Sequence, residues 1–133
     1  MRRKKVTVPR QRIKTPLAPA AIGPYCQAML VGDTLYVSGQ IAIDPQTSQL
    51  STEGVEIQAE QVLDNVGAVL RAAGMDYHHV VRCTVFLADI HDYAQVNEVY
   101  ARYFSDNAPT RETIQAAALP RGARVEISCT AVR

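Results

Sequence analysis

Two charged residues near the C-terminus, Arg111 and Glu126, carry side chains whose types suit acid–base chemistry on an anionic substrate. A guanidinium can hold a carboxylate through two parallel hydrogen bonds. A glutamate inside a strand of high β-propensity is unusual unless its carboxylate is solvated, paired with a cation or used in a reaction. Most charged residues on strands are solvated or form weak surface ion pairs, so these two residues alone favour the ordinary interpretation over a catalytic one.

The two residues lie on strands predicted on either side of a Pro-Arg-Gly break at 120–122. The second strand alternates apolar and polar residues, which predicts that Glu126 faces away from the core, whereas the core should receive Val125, Ile127, Cys129 and Ala131. In a plain hairpin Glu126 would pair near Ala117, which leaves Arg111 six residues further along and roughly 20 Å away at ~3.3 Å per residue. Either the strands are therefore not neighbours, or Arg111 and Glu126 of one site come from different chains. We favour the second alternative.

The elements before these strands predict a sheet that carries helices. A short strand at Arg12–Thr15 precedes an apolar loop at Pro16–Pro24, and strands at 27–31 and 34–38 form a hairpin around Gly32-Asp33. Tyr25 follows the apolar loop, and the second strand of the hairpin ends at Ser38-Gly39. Gly39 has no side chain and so allows close approach of a ligand or another backbone.

The middle of the chain predicts two helices separated by an interior strand at Val80–Ala88. The first helix spans Thr52–Ala73, with Thr52 as N-cap and Gly74 as its stop. The second begins at Asp89 or Asp92 and ends near Phe104, and its predicted buried stripe consists of Tyr93, Val96, Tyr100, Tyr103 and Phe104. Asn97 lies at the border of that stripe, where a polar residue ordinarily faces water; substrate contact is the alternative. The fold class is therefore α+β, with two helices on one face of a sheet.

The length of 133 residues indicates one domain, and its 47% hydrophobic and 20% charged residues are ordinary for a globular protein. Seven of the fourteen basic residues lie within positions 1–14, so positions 15–133 carry 7 basic and 13 acidic residues, a net charge of −6. We interpret 1–14 as a flexible basic tail and 15–133 as the domain. Such a tail could contact RNA or an anionic membrane surface, or serve as a weak mitochondrial presequence.

Cysteines and histidines give no sign of a metal or disulfide site. Three widely spaced cysteines without a Cys-x-x-Cys motif favour a reducing compartment. None of the three histidines has a partner at metal-ligand spacing, so we expect no metal. No apolar run approaches the ~18 residues of a membrane span.

Seven short motifs occur in an order that is specific in combination, although each is weak by itself. They are Ala-Pro-Ala-Ala-Ile-Gly-Pro-Tyr (18–25), Val-Ser-Gly-Gln-Ile (37–41), Leu-Asp-Asn-Val (63–66), Ala-Ala-Gly (72–74), Thr-Val-Phe-Leu-Ala-Asp (84–89), Val-Asn-Glu-Val-Tyr (96–100) and Ala-Leu-Pro-Arg-Gly-Ala-Arg-Val-Glu-Ile (118–127). From about Thr15 to the C-terminus the chain resembles the Rid/YjgF family. The resemblance implies a chorismate-mutase-like fold with a mixed sheet, and a homotrimer with ligand sites in the clefts between subunits.

The resemblance also implies an activity: hydrolysis of reactive 2-imino or enamine acids, such as 2-iminobutanoate and 2-iminopropanoate, to 2-keto acids and ammonia, without a cofactor. By motif, Arg111 matches the carboxylate-binding arginine and Glu126 the acidic residue that handles water. The substrate-binding positions that we carry over are Tyr25, Ser38, Gly39, Asn97 and Thr113. This chain departs from common family residues at Thr113, at Cys26 after the tyrosine, and at Glu112 after the arginine. These departures bear on substrate range and rate more than on the reaction class.

Two alternatives stay open. One is a ribonuclease or translation inhibitor, since some family members are described that way; here only the basic tail supplies the positive charge that RNA binding needs. The other is a non-catalytic binder of keto acids or a chaperone-like protein that uses the same cleft. The expected location is the cytoplasm, with the mitochondrion as the alternative.

Overall fold

Six strands form one mixed sheet in the computed structural model, which describes residues 8–133. The strands are β1 (Arg10–Ile13), β2 (Ala28–Val31), β3 (Thr34–Gln40), β4 (Val80–Leu87), β5 (Thr110–Gln115) and β6 (Val125–Val132). Their order across the sheet is β1-β2-β3-β6-β4-β5. Only β4 and β5 run parallel to each other, and the other neighbouring pairs are antiparallel. The α+β class with a mixed sheet is thus confirmed.

The strand alternation produces a buried face and an open face of the sheet. On β6 the four alternating residues Val125, Ile127, Cys129 and Ala131 are buried, as predicted, and Glu126 lies on the other face. β4 lies inside the sheet, between β6 and β5, which confirms the prediction of an interior strand. The hairpin around Gly32 is also confirmed, because Val31 pairs with Thr34 and Gly32 has the positive φ of 59° that such a turn needs.

The two C-terminal strands are not neighbours, because β4 lies between them. In the register, Cys83 of β4 is the partner of Arg111 on one side and of Cys129 on the other. Phe86 is likewise the partner of Glu126 on β6. Since paired residues point to the same side of a sheet, Arg111 lies on the buried face and Glu126 on the open face.

Residues 8–133 contain two α-helices, α1 (Val55–Ala72) and α2 (Tyr93–Phe104), and both pack on the buried face of the sheet. The expected N-cap at Thr52 is wrong, because Gly54 is the N-cap of α1 and no side chain caps the helix. The chain is held before this point, since Ser51 N donates to Ala42 O and Leu50 bridges to Ile43. The helix can therefore begin only after this loop. Gly74, with φ of +73°, ends it as predicted.

The N-terminal strand begins two residues earlier than the sequence suggested. β1 spans Arg10–Ile13 and pairs with β2, so these residues belong to the sheet although they were assigned to the tail. Residues 1–7 lie outside the described residues, together with the part of the expected tail that they contain. Among residues 8–133, no helix is both long and apolar enough to cross a membrane.

Candidate active site

Arg111 on β5 is held by three side chains from one stripe of α2. Its Nη1 donates to Asn97 Oδ1 at 2.7 Å, and its Nη2 donates to Tyr93 Oη at 2.8 Å. Its Cζ lies 4.7 Å from the ring centroid of Tyr100. Because the three residues of α2 are four and three positions apart, they share one face of the helix. The guanidinium is thus fixed in position by two hydrogen bonds and a cation–π contact.

The groups that hold Arg111 are neutral, so the charge of the guanidinium is not cancelled. Among residues 8–133, no carboxylate lies within 4.0 Å of its nitrogens. The adjacent Glu112 points to the opposite face of the sheet and pairs there with Arg82 at 2.7 Å. A partly buried cation with neutral partners attracts an anion more strongly than one already paired with a carboxylate.

Thr113 lies two residues after Arg111, on the same face of β5. Its Oγ1 is buried and has no hydrogen-bond partner among the described residues. We call Tyr93, Asn97, Tyr100, Arg111 and Thr113 the arginine cluster. A partly buried ion pair keeps α2 in place beside it, because Arg124 Nη2 lies 2.9 Å from Oδ2 of Asp92, directly before α2. The cluster therefore has a fixed positive end and a free hydroxyl.

Glu126 lies on the open face of the sheet against Gly39. A Cβ placed on Gly39 would be 2.6 Å from Glu126 Oε2, so only glycine leaves room for the carboxylate in this position. Burial raises the pKa of the Glu126 carboxyl above its ordinary value, and no hydrogen bond or neighbouring charge among the described residues offsets this. A half-buried carboxylate with a raised pKa is a candidate general base.

The loop before β2 is tied to the same region of the open face. Ser38 Oγ donates to Cys26 O at 2.6 Å, which holds the loop against β3 next to Gly39. Tyr25 is 55% exposed, and its Oη accepts a long hydrogen bond of 3.3 Å from Ile22 N. Gly23, with φ of +116°, makes the sharp turn that precedes the tyrosine. We call Tyr25, Ser38, Gly39 and Glu126 the glutamate cluster.

The two clusters do not meet within one chain. Arg111 and Glu126 are separated by two strand spacings and three residues of register, which puts their Cα atoms about 14 Å apart. Their side chains also point to opposite faces of the sheet. The structure thus brings Asn97 and Thr113 to Arg111, and brings Ser38 and Gly39 to Glu126.

Two members of the arginine cluster were not identified from the sequence. Tyr93 and Tyr100 were both assigned to the buried stripe of α2, but Tyr93 is 43% exposed and its hydroxyl bonds to Arg111. The expectation that Tyr93 is buried is therefore wrong. The sequence does contain a signal for this arrangement. Tyr93, Asn97 and Tyr100 are four and three positions apart, so a helix places the two tyrosines and the asparagine on one face.

The comparisons with known proteins agree on one family. The family model described as endoribonuclease L-PSP matches residues 15–133. The human protein named 2-iminobutanoate/2-iminopropanoate deaminase is 52% identical over 124 residues, which are 93% of this chain and 90% of the human one. The protein DfrA of Myxococcus xanthus is 52% identical over 125 residues, covering 92% of this chain and 95% of that protein.

Solved structures give the same result. The E. coli YjgF gene product superimposes with a TM-score of 0.88 at 41% identity, over 92% of this chain and 98% of that one. The E. coli protein TdcF, whose structure contains bound serine, has the same TM-score of 0.88 at 41% identity, over 92% and 98% of the two chains. On this agreement of sequence and fold, the chain belongs to the Rid/YjgF family.

Proposed function

We propose that this protein is a hydrolytic deaminase that converts reactive 2-imino acids and their enamine tautomers to 2-keto acids and ammonia. The observation that carries the proposal is Arg111, a fixed guanidinium with neutral partners only. A 2-imino acid presents the carboxylate that such a group binds. The name of the human relative supplies the substrates that we infer, 2-iminobutanoate and 2-iminopropanoate.

The proposed chemistry needs one anion site and one base. Arg111 holds the substrate carboxylate, which fixes the adjacent C=N carbon in position. Glu126, as the carboxylate, takes a proton from water while the water oxygen bonds to that carbon. Glu126 then passes this proton to the nitrogen of the resulting carbinolamine, which leaves as ammonia while the hydroxyl gives up its proton and the C=O bond forms. General base help of this kind contributes roughly 10²–10⁴-fold, and no step of the scheme calls for a cofactor.

We propose further that each site lies between two subunits of a homotrimer. Within one chain Arg111 and Glu126 are too far apart for one small substrate, so the arginine cluster of one subunit would face the glutamate cluster of its neighbour. Large apolar side chains on the open face support an interface there, since Tyr36 is 54% exposed and Ile114 is 50% exposed. The open face of the sheet would then be covered by the next subunit.

The remaining candidate residues would line this cleft. Asn97 orients Arg111, and Thr113 lies on the same face of β5 as Arg111. Tyr25, Ser38 and the backbone of Gly39 would come from the other subunit. The partner that we propose is therefore a small imino or keto acid.

The test is to couple the purified protein to an amino-acid dehydratase that releases 2-iminobutanoate, and to follow the decay of the imine. We expect decay to become faster in proportion to added protein, and Arg111→Ala to remove this increase. The proposal would be overturned if folded protein, added in an amount equal to that of the imine, left the rate of imine decay unchanged.

Ribonuclease activity is the rival, because the family model carries that description and the first fourteen residues are strongly basic. To test the basic tail, residues 1–8 should be deleted and not residues 1–14, because the longer deletion would also remove β1. We expect the shortened protein to keep full imine hydrolysis and to lose any salt-sensitive RNA binding. RNA cleavage at full rate by the shortened protein would favour the rival.

We propose that the protein is located in the cytoplasm, because its three cysteines are free, and the mitochondrion is the alternative.

A further inference from the structure

Tyr93 is the tyrosine of the arginine cluster that is 43% exposed and bonded through its hydroxyl to Arg111. Its Oη accepts from Arg111 Nη2 at 2.8 Å, and the side chain stands at the first position of α2. A phenolic oxygen that accepts a hydrogen bond still has its own O–H to donate. The bond from a guanidinium also polarises the hydroxyl, which strengthens it as a donor.

We propose that the Tyr93 hydroxyl is a second donor to the substrate carboxylate, beside Arg111, and thereby a determinant of affinity for 2-imino and 2-keto acids. The inference rests on the proposed function, since it names a further binding residue of the same site. Arg111 Nη1 and Nη2 each use one of their two hydrogens on a protein oxygen. One carboxylate oxygen can then take the free hydrogen on Nη2 and the other can take the O–H of Tyr93.

The other tyrosine beside Arg111 cannot take this role. Tyr100 presents its ring to the guanidinium, while its hydroxyl is buried and has no hydrogen-bond partner among the described residues. Burial raises the pKa of that hydroxyl further above its ordinary value. The matched control is instead Tyr103→Phe on the same helix, because the Tyr103 hydroxyl donates to Asp64 Oδ1 at 2.9 Å and Tyr103 is not part of the arginine cluster.

The expected effect is on binding more than on turnover. The carboxylate of the substrate keeps its charge throughout hydrolysis, so a donor to it stabilises the bound substrate and the transition state alike. A hydrogen bond to a charged group is worth about 1.5–3 kcal/mol, which corresponds to roughly 10- to 100-fold in affinity.

The experiment compares the full-length wild type, Tyr93→Phe and Tyr103→Phe. Binding of 2-oxobutanoate, the product keto acid, is measured by calorimetry, and kcat and KM are measured for 2-iminobutanoate. We expect Tyr93→Phe to raise Kd and KM by at least about tenfold with kcat within about twofold of wild type. Tyr103→Phe should stay within about twofold in all three quantities.

A loss in Tyr93→Phe could also arise because Arg111 loses an acceptor and moves. Incorporation of 3-fluorotyrosine at position 93 separates the two roles, since fluorine makes the hydroxyl a better donor and its oxygen a poorer acceptor. At a pH where the phenol is protonated, we expect 2-oxobutanoate to bind more tightly than to wild type. Weaker or unchanged binding would mean that Tyr93 does not donate to the carboxylate.

Two further outcomes overturn the inference. One is a Tyr93→Phe protein with wild-type Kd and KM; the other is a loss confined to kcat, which would place the hydroxyl at the reacting carbon instead. Failure of the proposed function looks different, because the wild type itself would then neither bind 2-oxobutanoate nor accelerate imine decay.

Discussion

Arg111 and Glu126 point to opposite faces of the same sheet, with β4 between the strands that carry them. Arg111 lies on the helix-covered face, where α2 supplies its neutral partners, and Glu126 lies on the open face against Gly39. Neither residue can serve the other within one subunit. The chemistry proposed for this family member therefore depends on what covers the open face.

Arg111→Ala should abolish imine hydrolysis and leave the fold intact, because it removes the charge that binds the substrate carboxylate from a partly exposed position. We expect kcat/KM to fall by at least about 100-fold, in line with the loss of the cation that binds the substrate carboxylate. The measurement is imine decay together with thermal unfolding. Arg102→Ala is the matched control, since this arginine forms an exposed pair with Glu60 on the helices. A folded Arg111→Ala protein with wild-type activity would refute the role of the arginine.

Glu126→Gln should lower kcat by roughly 10²–10⁴-fold with little change in KM, because the amide keeps the shape of the side chain and cannot accept a proton. The wild-type rate should rise with pH through the raised pKa of Glu126, since the base works only as the carboxylate. The activity is thus lost as pH falls below that pKa. A pH profile of kcat checks both points, and the acidic limb should vanish in Glu126→Gln. A raised KM at unchanged kcat would make Glu126 a binding residue.

Gly39→Ala should impair catalysis without strong destabilisation. The new Cβ would meet the carboxylate end of Glu126 and not the backbone, so the side chain must move out of its position. We expect kcat to fall by at least about tenfold and the melting temperature to change by only a few degrees. Gly54→Ala is the control, because a Cβ at that glycine has nothing within 4 Å. Wild-type kcat in Gly39→Ala would show that the position of the carboxylate against Gly39 does not matter.

Local patterns in the sequence predicted most of the secondary structure, because the sheet and helices bury residues with regular periods. The alternation from Val125 to Ala131 and the Gly32-Asp33 turn are both visible within a few residues, and both are confirmed. The start of α1 was predicted at Thr52 and lies at Val55, because a bridge between Ile43 and Leu50 holds the preceding loop. A contact of that kind has no local signal.

The arrangement of the site depends on contacts between residues far apart in sequence. β4 separates β5 from β6, so the register of Arg111 relative to Glu126 passes through Cys83 and Phe86. Nothing near Arg111 in the sequence indicates that Tyr93 would turn outward to meet it. An aromatic residue in the apolar stripe of an amphipathic helix is ordinarily a core residue, whereas Tyr93 bonds to the guanidinium of Arg111 on β5.

Mixing two inactive variants tests whether the site is shared between subunits. In a closed ring of three, Arg111→Ala and Glu126→Ala chains should rebuild one intact site in each mixed trimer, so random exchange should restore roughly a quarter of full activity. A second mixture, of wild type with the Arg111→Ala/Glu126→Ala double variant, calibrates the result. A shared site again gives roughly a quarter of wild-type activity, because both contributing chains must be wild type.

The two mixtures together distinguish every arrangement of the pair. If Arg111 and Glu126 acted within one chain, the first mixture would stay at the level of the single variants, and the second would keep roughly half of full activity. Subunit exchange is verified independently by mass spectrometry of the mixed trimers. Because the structure places the two side chains on opposite faces, we expect roughly a quarter in both mixtures. Activity near zero in the first mixture and near one half in the second would mean that both residues act within one chain. The sheet would then not keep the register seen between β4, β5 and β6 when substrate is bound.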